Sequence, residues 1–98
     1  MENKELPELV NSFLKTNGLA EPALEKKIYN AVLDLLLNNT AFLYQVLYRI
    51  DVKEEKVKNS FLDSPQAEVA AERITALIIE RQQEKIQWRR KYSEENEA

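Results

Sequence analysis

Residues 65–92 read PQAEVAAERITALIIERQQEKIQWRRKY, the longest uninterrupted helical pattern in the chain. An α-helix turns by about 100° per residue, so one stripe of this stretch is apolar throughout its first half. The members of that stripe are Ala67, Ala70, Ala71, Ile74, Leu77 and Ile78. Because small alanine side chains let two helices approach closely, we expect this half to pack on the rest of the chain.

The second half of the same stripe has a different composition. It continues through Arg81, Lys85, Trp88 and Tyr92, so that two cations are followed by two aromatic side chains. The whole helix would be about 42 Å long, more than the other predicted helices, and we expect its C-terminal half to project. Arg81 and Lys85 have two interpretations: long stems that cover apolar surface while their charges reach water, or the start of a binding surface.

A second apolar stripe lies on roughly the opposite side of the long helix and contains Val69, Ala76, Ile79 and Ile86. A surface helix of a monomer needs only one apolar stripe. The second stripe must therefore be covered, either by the first helix or by another copy of the chain, and the leading hypothesis is a homodimer or a protein partner. The candidate partner-binding residues are Val69, Ile79, Ile86, Trp88 and Tyr92. On this hypothesis, replacing Ile79 and Ile86 with Glu weakens the dimer and leaves the monomer fold largely intact.

Basic side chains are densest near the end of the long helix. The candidate basic patch consists of Arg81, Lys85, Arg89, Arg90 and Lys91. Cations beside aromatic residues suit nucleic acid, but cations also favour a helix C-terminus. Residues 80–92 carry a net charge of +3 and residues 93–98 a net charge of −3, so the acidic end could neutralise the patch. Nucleic-acid binding is therefore the alternative function.

The rest of the chain predicts shorter helices. The first spans about 6–17 and stops at Asn17-Gly18; the second opens at Glu21-Pro22. Asn38-Asn39-Thr40 predicts a break, with Asn39 or Thr40 capping a third helix. The apolar stripe continues in phase across this break, so a single helix from about 22 to 50 stays open as an alternative.

A fourth helix is expected after Asp51, which stands three residues before Glu54 as in a capping box. The last helix is expected to begin at Ser64-Pro65. The chain of 98 residues has one Gly and three Pro, which favours an all-α fold. We therefore predict a small bundle of four to five helices with one long C-terminal helix. Residues 1–92 would form a single helical domain, and 93–98 a disordered acidic tail.

Composition argues against most chemistries. The chain contains no Cys and no His, which removes thiol chemistry, the commonest metal ligand and the usual general base. Carboxylate pairs such as Glu68 with Glu72 are usually solvated on an exposed helix. We expect no enzymatic activity, no cofactor, no metal and no small-molecule substrate. The net charge of −3 argues against nucleic acid and anionic membranes. No apolar run approaches about 18 residues, so a cytoplasmic protein is expected.

Two segments carry a resemblance: Leu47-Tyr48-Arg49-Ile50-Asp51-Val52, and Leu77-Ile78-Ile79-Glu80-Arg81-Gln82 with Lys85, Arg89, Arg90 and Tyr92 after it. Together they resemble a set of short bacterial proteins that have an LYRIDV-like segment before a LIIERQ-like helix. The resemblance covers roughly the second half of the chain. It implies an all-α fold and a bacterial cytoplasmic origin, and it brings no catalytic residues and no known activity.

Overall fold

Helices make up almost all of the described structure. The computed structural model describes residues 5–16, 22–62 and 66–97, with side chains as far as residue 91. Within these residues the chain forms five α-helices and no strand, which confirms the all-α prediction. The helices are α1 (Glu5–Lys15), α2 (Pro22–Asn38), α3 (Thr40–Arg49), α4 (Glu54–Leu62) and α5 (Ala67–Glu97).

Helix α1 is amphipathic and packs its apolar stripe inward. Leu6, Val10 and Phe13 are buried, at the spacing of three to four residues that one helix face requires. Pro7 lies in the first turn, where its missing N–H leaves no hydrogen bond unmade. The predicted stop at Asn17-Gly18 lies outside the described residues.

Helices α2 and α3 are separated by one residue, so the prediction of two helices is confirmed and the single helix over 22–50 is wrong. Asn39 is the N-cap of α3, and its side-chain oxygen accepts a hydrogen bond from the backbone N–H of Phe42 at 3.3 Å. An Asn side chain satisfies an N–H that has no partner within the new helix. The break lets the apolar residues of both helices enter one core, among them Ile28, Val32, Leu35, Leu43, Val46 and Leu47.

The segment between α3 and α4 corrects one expectation. Asp51 does not cap α4, which begins at Glu54. Instead, the N–H of Asp51 donates to the carbonyl of Tyr48 at 3.1 Å, and the N–H of Val52 donates to that of Leu47 at 3.0 Å. These two bonds define a Schellman motif, in which the residue after the C-cap adopts a left-handed conformation.

Asp51 is that left-handed residue, with φ of 66°. Glycine usually occupies this position because a side chain with a Cβ is strained there, although Asp tolerates it better than most residues. The side chain of Asp51 leaves the turn and reaches Arg81 of α5. The LYRIDV segment is therefore a helix C-terminus with an acidic residue that connects it to the long helix.

Helix α5 packs against α2, α1 and α4. The predicted stripe is confirmed in its first half, because Ala70, Ala71, Ile74 and Ile78 are buried. Beyond Ile78, however, the buried face passes through Gln82 and Ile86 rather than through Arg81 and Lys85.

Gln82 is fully buried although it is polar. Neither its side-chain oxygen nor its side-chain nitrogen has a hydrogen-bond partner among the described residues, and the hydroxyl of Thr75 has none either. A buried polar group without a partner costs about 1–3 kcal/mol. The face of α5 that meets the core thus carries a polar defect one turn before burial ends.

Burial along α5 divides the helix in two. Ile86 is the last buried residue, and residues 87–91 are exposed. We call residues 67–86 the docked part and residues 87–97 the free end. The helix is about 46 Å long and matches the longest dimension of the molecule, which measures 49 × 27 × 22 Å.

The free end includes most of the stretch for which a disordered acidic tail is predicted. The backbone is helical as far as Glu97, while the side chains of residues 92–97 and the whole of Ala98 lie outside the described residues. The disorder of residues 93–98 stays a prediction.

Candidate functional site: the cationic groove at the end of the long helix

The five candidate partner-binding residues do not share one surface. Val69 and Ile79 are half-buried, and Ile79 packs against the core. Trp88 is 70% exposed and lies at the start of the free end. The side chain of Tyr92 lies outside the described residues.

Ile86 corrects the prediction of a partner-binding stripe. It is only 4% exposed and belongs to the hydrophobic core of the chain itself. The reason is that the buried face drifts around α5: Ile78, Gln82 and Ile86 follow each other at intervals of four residues, and each such step advances the face by about 40°. Trp88 is therefore accessible to a partner, whereas Ile86 is not.

The basic residues divide into two groups. Arg81 and Lys85 are half-buried, whereas Arg89, Arg90 and Lys91 are exposed. A groove of about 560 Å³ lies between the end of α1 and α5. It is lined by Leu14, Arg81, Lys85, Trp88 and Arg89.

Three of these cations are spaced four residues apart on α5, and we call Arg81, Lys85 and Arg89 the cation column. Side chains four residues apart are neighbours on a helix, and like charges at that spacing destabilise it by about 0.2–0.5 kcal/mol per pair. The column therefore needs anions nearby.

Arg81 has such anions within the chain. Its guanidinium donates to the carboxylate of Asp51 at 3.0 Å and to that of Glu84 at 2.9 Å. The Asp51 contact joins the turn after α3 to α5, and Lys56 of α4 adds a weaker ion pair with Glu80 at 3.8 Å. These contacts favour the interpretation of Arg81 as a structural residue.

Lys85 and Arg89 form no ion pair with any described carboxylate. Partial burial lowers the pKa of Lys85, and the neighbouring charge of Arg81 lowers it further, while Asp51 acts in the opposite direction. Lys85 and Arg89 thus place two positive charges without a paired carboxylate among the described residues beside the exposed ring of Trp88.

A second groove, which is apolar and was not predicted from the sequence, lies between α3 and α4. It has a volume of about 740 Å³. Tyr48 on its rim is 86% exposed. Tyr44 lines the same groove, and its ring centroid lies 6.0 Å from that of Phe61. The signal was present in the sequence, because Tyr44 and Tyr48 are four residues apart on α3 and lie outside the stripe of the buried Leu43, Val46 and Leu47.

The described part of the chain contains no group of three or more acidic side chains that could hold a metal ion. Among the same residues, no helix has both the length and the apolar character needed to cross a bilayer. Comparison with protein-family models, curated proteins and solved structures finds no match. The resemblance carried by the LYRIDV and LIIERQ segments stays a prediction.

Proposed function

We propose that this protein is a non-enzymatic helical protein that acts by protein–protein contact and self-associates through the free end of α5. The observation that carries the proposal is that burial stops at Ile86 whereas the helix continues to Glu97. The free end measures about 16 Å. A helix this short is marginal without packing, so a partner that covers it would stabilise it.

Trp88 supports a protein as the partner. Exposed tryptophan is enriched at the centres of protein interfaces, where it buries a large area with little loss of conformational entropy. Trp88 lies where the free end leaves the bundle, so it would stand in the middle of a contact that used both the cationic groove and the free end. A cytoplasmic location, which the resemblance implies, is part of this proposal.

Sedimentation velocity at tens of micromolar protein tests the proposal. We expect a dimer, and we expect Trp88→Ala to raise its dissociation constant at least about tenfold, or about 1.4 kcal/mol. Tyr48→Ala is the matched control, because it removes another highly exposed aromatic ring far along the sequence from the free end. A strictly monomeric wild-type protein overturns the proposal, and equal effects of the two variants argue against the free end as the contact.

Nucleic-acid binding is the second candidate. The observation in its favour is the exposed run Arg89-Arg90-Lys91 directly after Trp88. Cations can contact phosphates while an aromatic ring stacks on a base. A gel shift at low salt, on the full chain and on a chain that ends at Tyr92, tests it. No shift with either chain rules this candidate out.

A further inference from the structure

Two of the three cations in the cation column, Lys85 and Arg89, lack a carboxylate partner among the described residues. Lys85 has Arg81 and Arg89 at a distance of four residues on either side. Arg81 has two carboxylate partners, while Lys85 and Arg89 have none among the described side chains. Like charges in a row on one helix face repel each other, and partial burial of Lys85 reduces the screening by water.

The acidic residues that follow along the same helix cannot fill this gap. Side chains contact one another along a helix at separations of three and four residues. From Arg89 these positions are Tyr92 and Ser93, neither of which is acidic. Glu94 is about 14 Å further along the axis than Lys85. Arg90 and Lys91, in contrast, do have an acid four residues ahead of them.

A second copy of the chain can supply the missing anions. Residues 93–98 carry three Glu and no cation. When two α5 helices run antiparallel with position 91 near the twofold axis, position 97 of one copy, a Glu, is level with Lys85 of the other. Position 93 is then level with Arg89, and Glu94 is one residue away from that level. A twofold contact repeats itself, so each copy gives one acidic end and receives one.

From this charge complementarity we infer that the groove lined by Lys85 and Arg89 receives the acidic end, residues 93–98, of a second copy in an antiparallel pairing of two α5 helices. The inference rests on the proposed function and specifies the contact. Leu14 and Trp88 line the same groove and give it an apolar wall beside the cations. The net charge of the chain, −3, argues against a polyanion such as nucleic acid as the occupant.

A charge exchange between two variants tests the inference. The first variant is Lys85→Glu with Arg89→Glu, which makes the groove acidic. The second is Glu94→Lys, Glu95→Lys and Glu97→Lys, which makes the end basic. Each variant alone brings like charges together at both contacts, so we expect the dissociation constant to rise more than about tenfold. An equimolar mixture restores both contacts, and we expect a 1:1 heterodimer with close to wild-type affinity.

The measurement is sedimentation velocity with one variant carrying a fluorescent label, at about 50 mM and about 500 mM salt, because salt weakens contacts between exposed charges. Lys53→Glu with Lys58→Glu is the matched control for Lys85→Glu with Arg89→Glu. It changes the net charge by the same amount, at exposed positions outside α5. Circular dichroism verifies the fold of every variant. Arg89 is exposed, so Arg89→Glu alone still tests the groove if the double variant does not fold.

The outcomes separate this inference from the proposed function. One outcome is that the wild type dimerises and Trp88→Ala weakens the dimer, but the charge variants do not weaken it. Self-association then stands, and the antiparallel pairing is wrong. If the wild type is monomeric at low salt, both fail. If a single-stranded oligonucleotide binds the groove more tightly than a second copy does, in a manner abolished by Lys85→Glu with Arg89→Glu, the inferred occupant is wrong. Restored association in the mixture supports the pairing.

Discussion

Within α5, the docked part and the free end differ in what their side chains contact. Residues 67–86 place Ala71, Ile74, Ile78 and Ile86 in the common core, whereas residues 87–91 contribute only exposed side chains. None of the described side chains of the free end is buried, although its backbone is as helical as that of the docked part. The continuous helix α5 therefore has two environments: the docked part contributes to the core, and the described side chains of the free end are exposed.

The largest expected effect comes from placing a charge at the border between the two parts. Ile86→Glu would bury an unpaired carboxylate, and we expect it to lower the free energy of unfolding by about 3–5 kcal/mol. Trp88→Glu, two residues later, should change it by less than about 0.5 kcal/mol, because Trp88 is exposed. Urea denaturation followed by circular dichroism measures both. Similar effects at the two positions would break the division of α5 at Ile86.

The polar defect in the docked part predicts the next effect. Gln82→Met keeps an unbranched chain of similar length but removes the two amide atoms that have no partner. We expect the free energy of unfolding to rise by about 1–2 kcal/mol. Gln87→Met in the free end is the control, since Gln87 is exposed. A destabilised Gln82→Met protein would indicate that the buried amide is satisfied.

The next effect, of about 1 kcal/mol on the free energy of unfolding, is expected at Asp51, which contacts Arg81 in the docked part. Asp51→Gly and Asp51→Ala both remove the ion pair with Arg81, but only Ala keeps a Cβ at the positive φ. We therefore expect the Ala variant to be less stable than the Gly variant by about 1 kcal/mol. Thermal unfolding of the two variants side by side measures the difference, and equal stabilities would contradict the left-handed conformation in solution.

Removing the end of the free part should hardly affect folding. A chain that stops after Lys91 loses no side chain of the described core, so we expect the free energy of unfolding to change by less than about 0.5 kcal/mol. Self-association should nevertheless be lost at low salt. A truncated chain that unfolds much more easily in urea would show that the free end contributes to the fold.

The smallest effect concerns pH. Burial and the charge of Arg81 lower the pKa of Lys85 in the folded chain below its ordinary value of 10.5. Between the lowered value and 10.5 the unfolded chain binds more protons than the folded one, so this lysine makes stability rise with pH in that window. Lys85→Gln should remove this contribution. Urea unfolding of both proteins across the alkaline range measures the difference in slope.

The sequence contained enough information for the architecture but not for the orientation of α5. Asn39 indicated the break after α2 because Asn and Thr favour caps, and the Ala and Ile spacing identified the buried face as far as Ile78. Beyond that point, a straight extension of the stripe led to Arg81 and Lys85. The actual face passes through Gln82, and no propensity argument predicts a buried glutamine without partners, because tertiary packing by α1, α2 and α4 determines it.

The candidate site was likewise identified in part. The cations and Trp88 were predicted as a surface of interest, and the groove brings four of them together with Leu14. The contribution of α1 could not be predicted, because it depends on how the two helices pack. The Schellman motif was missed because Asp, rather than Gly, occupies its left-handed position.

The position of Trp88 also determines what can be observed in solution. It is the only tryptophan of the chain and is 70% exposed, so its fluorescence in the folded monomer is already close to that of a solvated indole. Emission should therefore change little when the chain unfolds, while circular dichroism reports the loss of helix. Burial of the ring in a complex would shift its emission to shorter wavelength, which makes the native chain an intrinsic optical sensor of association.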